Sequence, residues 1–401
     1  MIGFIVSCFQ YNNTGKGGHY YTALTIFREI QKHRKAVLIV IGDLKPAAID
    51  TSAEGIRFLP AGRTIRRGDI NKLSDFIRKK HITVLHSFDT YAFLFCRMAA
   101  HLSTLRIVAT KCGGPPPIFY YYPDICPDTV FSPEDQVYFQ RRARWFNIDA
   151  PVLIPNRVSD PDELMPSPDL KHLPAPAHPN SIKIVRIARI CRAYEKSIFQ
   201  TIALAKAMRS SGLDVTLYIV GYIQEESIHK RIKRAMASSS DVLLSDDCYT
   251  RGASRHLKAV DITVATGRGV MEASLAGNIV LCSVHDAVYP YLLDASNATH
   301  FFQYNFSSRA PKPDLSEQRN LESILNLLVD GRQKERHHRD MQAIHDRYFK
   351  ISTAVPTYLE LYKTRRQARP PLIDALDLRL HRIVSVAKLG LRKLQHTRGK
   401  S

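Results

Sequence analysis

Gly267-Arg268-Gly269-Val270-Met271-Glu272-Ala273-Ser274-Leu275-Ala276-Gly277-Asn278-Ile279-Val280 carries more information than any other stretch of this 401-residue chain. A glycine pair opens it, a helix with a single glutamate follows, and Gly277 stops that helix ahead of an apolar strand. Glycines before a helix leave backbone N–H groups free, and the helix N-terminus adds positive potential, so the turn suits a phosphate. Glu272, about one turn further in, is placed to accept hydrogen bonds from ribose hydroxyls beside that phosphate. A glycine turn before a helix is also common architecture with no ligand at all, so the reading needs agreement from elsewhere.

The rest of the chain has the alternation such a turn belongs to. Apolar runs at Ile2–Cys8, Ala36–Ile41, Ile56–Leu59, Ile82–Leu85 and Arg106–Ala109 read as strands, with helical spacing at 20–30, 69–80 and 91–100 between them. A second series of strands is expected near 182–188, 215–220, 241–244, 261–265 and 279–283. Continuous apolar strands separated by helices imply parallel sheets covered on both faces, with right-handed connections. Between the two series, Asp160–Asn180 holds Pro161, Pro166, Pro168, Pro174, Pro176 and Pro179 and reads as a linker.

Within this frame the motifs fall into a recognisable order. Ile182–Arg189 followed by Ala193-Tyr194-Glu195-Lys196 resembles the "GRL…eKG" segment of GT-B glycosyltransferases, glycosyltransferase family 4 in particular. Leu217-Tyr218-Ile219-Val220-Gly221 is similar to that family's next strand, and Ala259-Val260-Asp261-Ile262 to its "aaD" strand start. The opening stretch resembles its "EAmAxGxPVi" segment, Gly17-Gly18-His19 its "GGxE" loop, and Ile154-Pro155-Asn156-Arg157-Val158 its interdomain "IPNGV". The resemblance implies an α/β GT-B architecture: two Rossmann-like parallel-sheet domains facing across a cleft, with a C-terminal basic helix. It implies an N-terminal acceptor-side domain at 1–155, a linker at 156–180 and a donor-binding domain at 181–350. A returning helix at 351–369, with Val355–Tyr362 as its core, and a basic amphipathic tail at 370–401 would follow.

The activity so implied is transfer of a sugar from a nucleoside-diphosphate sugar to a glycan or lipid-linked acceptor in cell-surface polysaccharide synthesis, with retention. A departing diphosphate gathers charge as the glycosidic bond breaks, and fixed cations beside it stabilise that state more than the ground state. Arg189 and Lys196 match the family's two diphosphate contacts, the first as a fork and the second as a point charge. Glu272 would hold ribose, while Gly17, Gly18, Gly221, Gly267 and Gly269 would let backbone approach the donor. The chain departs from the pattern at one place. The family carries two glutamates eight positions apart, and eight before Glu272 stands Val264. The role of the first glutamate must then fall to backbone amides, to Arg268 or to another residue. Lys111 and Cys112 end a strand where relatives place a cleft histidine, and His86 and Asp89 end another; Lys111 and His86 join the candidate catalytic set. The plain alternative is a proline-stiffened turn at Lys111 and a hydrogen-bonded core residue at His86. No spaced acidic pair suggests a metal, so no metal and no permanently bound cofactor are expected.

Composition limits the alternatives. Hydrophobic content of 45% and charged content of 23% are those of a globular protein. No apolar run reaches the ~20 residues of a membrane helix. The start reads as a strand rather than a signal peptide, and seven cysteines without a CxxC pair give neither a disulfide framework nor a zinc motif. A cytoplasmic protein is expected, either free or peripheral on the inner face of the cytoplasmic membrane. The net charge of +20 is concentrated towards the end, where 363–401 holds eleven Lys or Arg against Asp374 and Asp377. In that segment Leu372, Leu376, Leu380, Ile383, Ala387, Leu391 and Leu394 share one helix face flanked by basic residues. Such a helix suits an anionic membrane surface, or packs on its own domain. Other readings of the chain are a sugar-nucleotide epimerase of GT-B shape, a non-catalytic relative, and a basic nucleic-acid-binding protein. No nucleic-acid motif supports the last, and no nucleic acid is expected as a partner.

Overall fold

The structure, a computed structural model, describes residues 1–10, 15, 17–63, 65–100, 105–117, 126–159, 171–176, 178–236 and 240–364. The chain divides into two compact units. One comprises Met1–Ala23, Ile30–Ile154 and the chain from Val355 onward; the other comprises Leu24–Glu29 and Pro155–Ala354.

The first unit is built on seven strands: β1 (Ile2–Cys8), β2 (Ala36–Gly42), β3 (Ile56–Pro60), β4 (Val84–Ser87), β5 (Arg106–Lys111), β6 (Thr129–Val130) and β7 (Val152–Leu153). They lie in the order β3-β2-β1-β4-β5-β6-β7, and every pairing is parallel. The helices α1 (Gly18–Gln31), α2 (Arg67–Lys79), α3 (Thr90–Ala100) and α4 (Pro133–Phe146) fall between strands. All seven residues of β1 are buried, as the continuous apolar run of a central parallel strand requires. Ile5, Ile39 and Leu85 form one core with Ile70, Leu73 and Ile77 of α2 and Phe95 and Cys96 of α3.

The second unit has a six-stranded sheet: β8 (Ile182–Ile187), β9 (Val215–Val220), β10 (Asp241–Leu244), β11 (Ile262–Ala265), β12 (Ile279–Cys282) and β13 (Tyr291–Leu292). The order is β10-β9-β8-β11-β12-β13, with β13 antiparallel at the edge and the rest parallel. Around it lie α5 (Arg192–Ser210), α6 (Glu226–Ala235), α7 (Arg268–Ala276), α8 (Glu317–Val329) and α9 (Gly331–Ile344). The two faces of the sheet belong to separate cores. Leu217, Ile219, Ile262 and Ile279 face one side, and Tyr218, Val220, Val280 and Cys282 the other. Both sheets reverse strand order beside their first strand, at β1/β4 and at β8/β11. Ligands of open parallel sheets bind beyond the carboxyl ends of strands at such points.

A last helix, α10 (Val355–Lys363), groups with the first unit. Among the described residues no helix is long and apolar enough to cross a membrane. The basic helix expected at 370–401 lies outside the described residues, as do Thr14 and Lys16 of the glycine loop and residues 160–170 of the linker.

Candidate functional site

In the second unit the carboxyl ends of β8 and β11 are neighbours, because Ile184, Val185 and Arg186 pair with Ile262, Thr263 and Val264. Segments about 80 residues apart in sequence therefore emerge side by side. From β8 the chain runs through Arg189 into α5; from β11 it runs through Gly267 into α7. Gly267 has φ 54° and ψ −123°, a conformation closed to residues with a side chain, and no side chain caps the helix behind it. The nearest neighbour of a Cβ at Gly267 would be 4.0 Å away, so the glycine answers to the backbone turn and leaves the space over it open. Gly269, one turn step later, makes only ordinary contact, 3.4 Å from a Cβ to that of Ala265.

Glu272 sits on the first turns of α7, where its Oε1 accepts a 2.7 Å hydrogen bond from Arg268 Nε. Both side chains are mostly buried, and Arg268 Nη1 reaches the carbonyl of Arg157 at 3.5 Å. The carboxylate is thus held by its i−4 neighbour, a placement that sequence spacing allowed and the structure adopts.

Arg189 is half-buried just beyond β8. Its guanidinium lies 5.1 Å over the Tyr194 ring, and Nη2 donates to the Tyr194 hydroxyl at 3.2 Å. Lys196 is exposed on the first turns of α5, and Arg192 at the start of that helix is exposed too, its amide donating to Glu225. Gly221 plays a different part from Gly267. A Cβ there would fall 1.7 Å from the Ala188 carbonyl, so its glycine lets the exit of β9 pass against the exit of β8, directly behind Arg189.

Sequence reasoning missed the residue on which this corner turns. Arg186, inside β8, is 1% exposed. Its Nη2 donates to Ser197 Oγ at 2.8 Å and Thr266 Oγ1 at 3.1 Å, Nε to Ser197 Oγ at 3.2 Å, and Nη1 to the carbonyls of Ile187 and Val264 at 3.3 Å each. The available signal was a second charged residue within β8, set between Val185 and Ile187 near the buried end of the strand.

In the first unit Gly17 precedes α1 and Gly18 begins it, following β1, the strand beside β4. A Cβ on Gly18 would meet nothing within 4 Å. His86 is fully buried, its Nδ1 2.7 Å from the Tyr362 hydroxyl and its Nε2 2.6 Å from Thr110 Oγ1. Desolvation lowers its pKa to about 3, which keeps the ring neutral. Asp89 receives the amide and hydroxyl of Ser7 and the amide of Ala92, tying β1 to the start of α3. Lys111 is buried too. Its Nζ donates to the carbonyls of Gly113 and Gly114 at 2.8 and 3.2 Å and to Asp135 Oδ2 at 2.9 Å, which uses all three of its N–H bonds. In the structure His86 is thus a hydrogen-bonded core histidine, and Lys111 a cation that holds the Gly113–Gly114 turn.

No family model matches the chain, and no curated protein matches it by sequence. Solved structures do match by shape. A glycosyltransferase from Rickettsia africae superposes with a TM-score of 0.61 at 15% identity, over 90% of this chain and 97% of that one. HepE of Anabaena, in complex with UDP and glucose, gives 0.59 at 14% identity over 91% and 99%. The fold is GT-B. UDP-GlcNAc 2-epimerase from Neisseria meningitidis, bound to UDP-GlcNAc, shares it with a TM-score of 0.50 at 14% identity over 91% and 100%.

Proposed function

We propose that this chain is a glycosyltransferase that takes its sugar from a nucleoside diphosphate, binding that donor on the second unit at the ends of β8 and β11. The observation that carries the reading is the pairing of those two strands. It brings the segment that runs through Arg189 into α5 beside the segment that runs through Gly267 into α7, which supports a site drawing cations from the first and a carboxylate from the second. Arg189 would hold diphosphate oxygens as a fork, Lys196 would add a point charge as the leaving group departs, and Glu272 would accept from ribose. Gly267 and Gly269, whose own amides are held by the carbonyls of Phe306 at 2.6 Å and Thr266 at 3.2 Å, would let the backbone approach the donor. Gly17 and Gly18 would do the same from the first unit, which would carry the acceptor.

Family-4 membership, retention of configuration, and a glycan or lipid-linked acceptor in cell-surface polysaccharide synthesis complete the proposal. They are what the resemblance carried by the six motifs quoted above implies. The experiment is a panel of UDP-, GDP- and ADP-sugars, scored by thermal stabilisation and by release of nucleoside diphosphate. Arg189→Ala is expected to lose on the order of 2–4 kcal/mol of transition-state stabilisation. A folded Arg189→Ala that turns donor over at the parent rate would refute the assignment. Conversion of the donor into an epimer with no transferred glycoside would make the protein an epimerase instead.

A further inference from the structure

β8 lies between β9 and β11 with helices over both faces, the setting in which a strand residue is normally apolar. Arg186 sits there with its guanidinium out of water. Its five N–H bonds are all matched, to two carbonyls and two hydroxyls. None of these acceptors is charged, and among the described residues no carboxylate pairs with it. Burial lowers its pKa to about 10, so it remains a cation at neutral pH. An unpaired buried charge is costly, and apolar residues of similar volume commonly replace buried ions with no loss of stability. Core filling alone does not account for it.

The acceptors indicate what it does. Ser197 follows Lys196, Thr266 precedes Gly267, and Ile187 stands two residues before Arg189. One planar group thus ties together the three segments that carry the candidate donor contacts. Ser197 Oγ donates onward to the Tyr194 carbonyl at 2.8 Å, and Tyr194 is the residue whose ring and hydroxyl hold Arg189. Lysine, with three donors on a flexible stem, cannot make the same set of bonds. The positive charge also stands in a water-poor interior, where its field on a nearby anion is weakly screened.

We propose that Arg186 is a positioning residue for diphosphate binding, fixing the ends of β8, α5 and β11 in their binding geometry and supplying a buried positive charge that a bound diphosphate compensates. This rests on the donor site proposed above.

The test is calorimetric titration. UDP, GDP and ADP are first titrated into the parent, and the tightest binder, with its monophosphate, is carried to Arg186→Met and Arg186→Lys. Arg186→Met is expected to unfold at or above the parent temperature, yet to bind the diphosphate at least tenfold more weakly. The loss should be smaller for the monophosphate, and Arg186→Lys should fall between. A folded Arg186→Met that binds the diphosphate like the parent overturns the assignment, as does an equal loss for both nucleotides. Should Arg186→Met not fold, Thr266→Val, which removes one acceptor, carries the test: weakened diphosphate binding supports the proposal and parent-like binding overturns it. A parent that binds none of the three diphosphates sinks the donor site itself, and Arg186's role falls with it; a parent that binds beside an unaffected Arg186→Met sinks Arg186's role alone.

Discussion

Replacing Asp135 by asparagine removes the counter-charge of Lys111 with almost no change of shape. The two groups are 2.9 Å apart, with side chains 7% and 1% exposed. At an effective dielectric of ~20 their direct attraction is about 6 kcal/mol, most of it spent on desolvating both ions. Stranding the ammonium in the interior should therefore cost about 3–5 kcal/mol of stability. Lys111→Met should cost less, because Asp135 keeps the hydroxyl of Ser132 as a donor at 3.1 Å. The double variant Lys111→Met/Asp135→Leu should recover much of the Asp135→Asn loss, since neither ion remains. Urea unfolding at pH 7 followed by circular dichroism, with all variants on one denaturant scale, measures each value. A loss below about 1 kcal/mol in Asp135→Asn would refute the reasoning. It would mean that water reaches the ammonium, and that Lys111 is available to a ligand instead of clamping the Gly113–Gly114 turn.

Two further outcomes follow from groups already described. His86 has its pKa lowered to about 3 in the folded state, so the unfolded chain takes up the proton first. The stability this contributes is full above pH ~6.5 and is lost towards pH 3 at about 1.4 kcal/mol per unit. The stability difference between the parent and His86→Gln should shift by that slope between pH 6.5 and 4, and parallel curves would show that His86 meets water. Gly221→Ala places a Cβ 1.7 Å from the Ala188 carbonyl, so the exits of β8 and β9 must part. It should destabilise the second unit and weaken nucleotide binding together, and a parent-like melting temperature would contradict the crowding.

Most of the framework was legible because central parallel strands are continuous apolar runs. β1 and β9 fall on the residues where hydrophobicity alone puts them, and α10 spans the expected 355–362 plus one residue. β4 was expected at 82–85 and lies at 84–87, since His86 and Ser87 are polar yet paired with Tyr362, Thr110 and the Val108 carbonyl. α4 went unread although Ser132-Pro133-Glu134-Asp135 is a helix-start signal; Ser132 Oγ accepts from the Asp135 amide, with Pro133 in the first turn. The two-residue strands β6, β7 and β13 are too short to show any period. Within the site, motif order pointed to Arg189, Lys196, Gly267 and Glu272. Their arrangement was not readable, because the adjacency of β8 and β11 is a property of the sheet and not of either segment. The inward turn of Lys111 depends on Asp135, 24 residues away, and local spacing carries no trace of it.

The closing helix bears on how the polypeptide is made. Tyr362 of α10 meets the His86 ring across 276 residues of chain. A ribosome delivers domains in sequence order, and each generally folds as its last segment emerges. Here the unit begun first receives its final helix only after Pro155–Ala354 has been synthesised. During translation β4 must wait with His86 short of a hydrogen-bond partner, while the later unit already has nearly all of its sequence. The nascent protein would mature from its middle outward, and a stop codon just before Val355 would spare the second unit and leave the first incomplete.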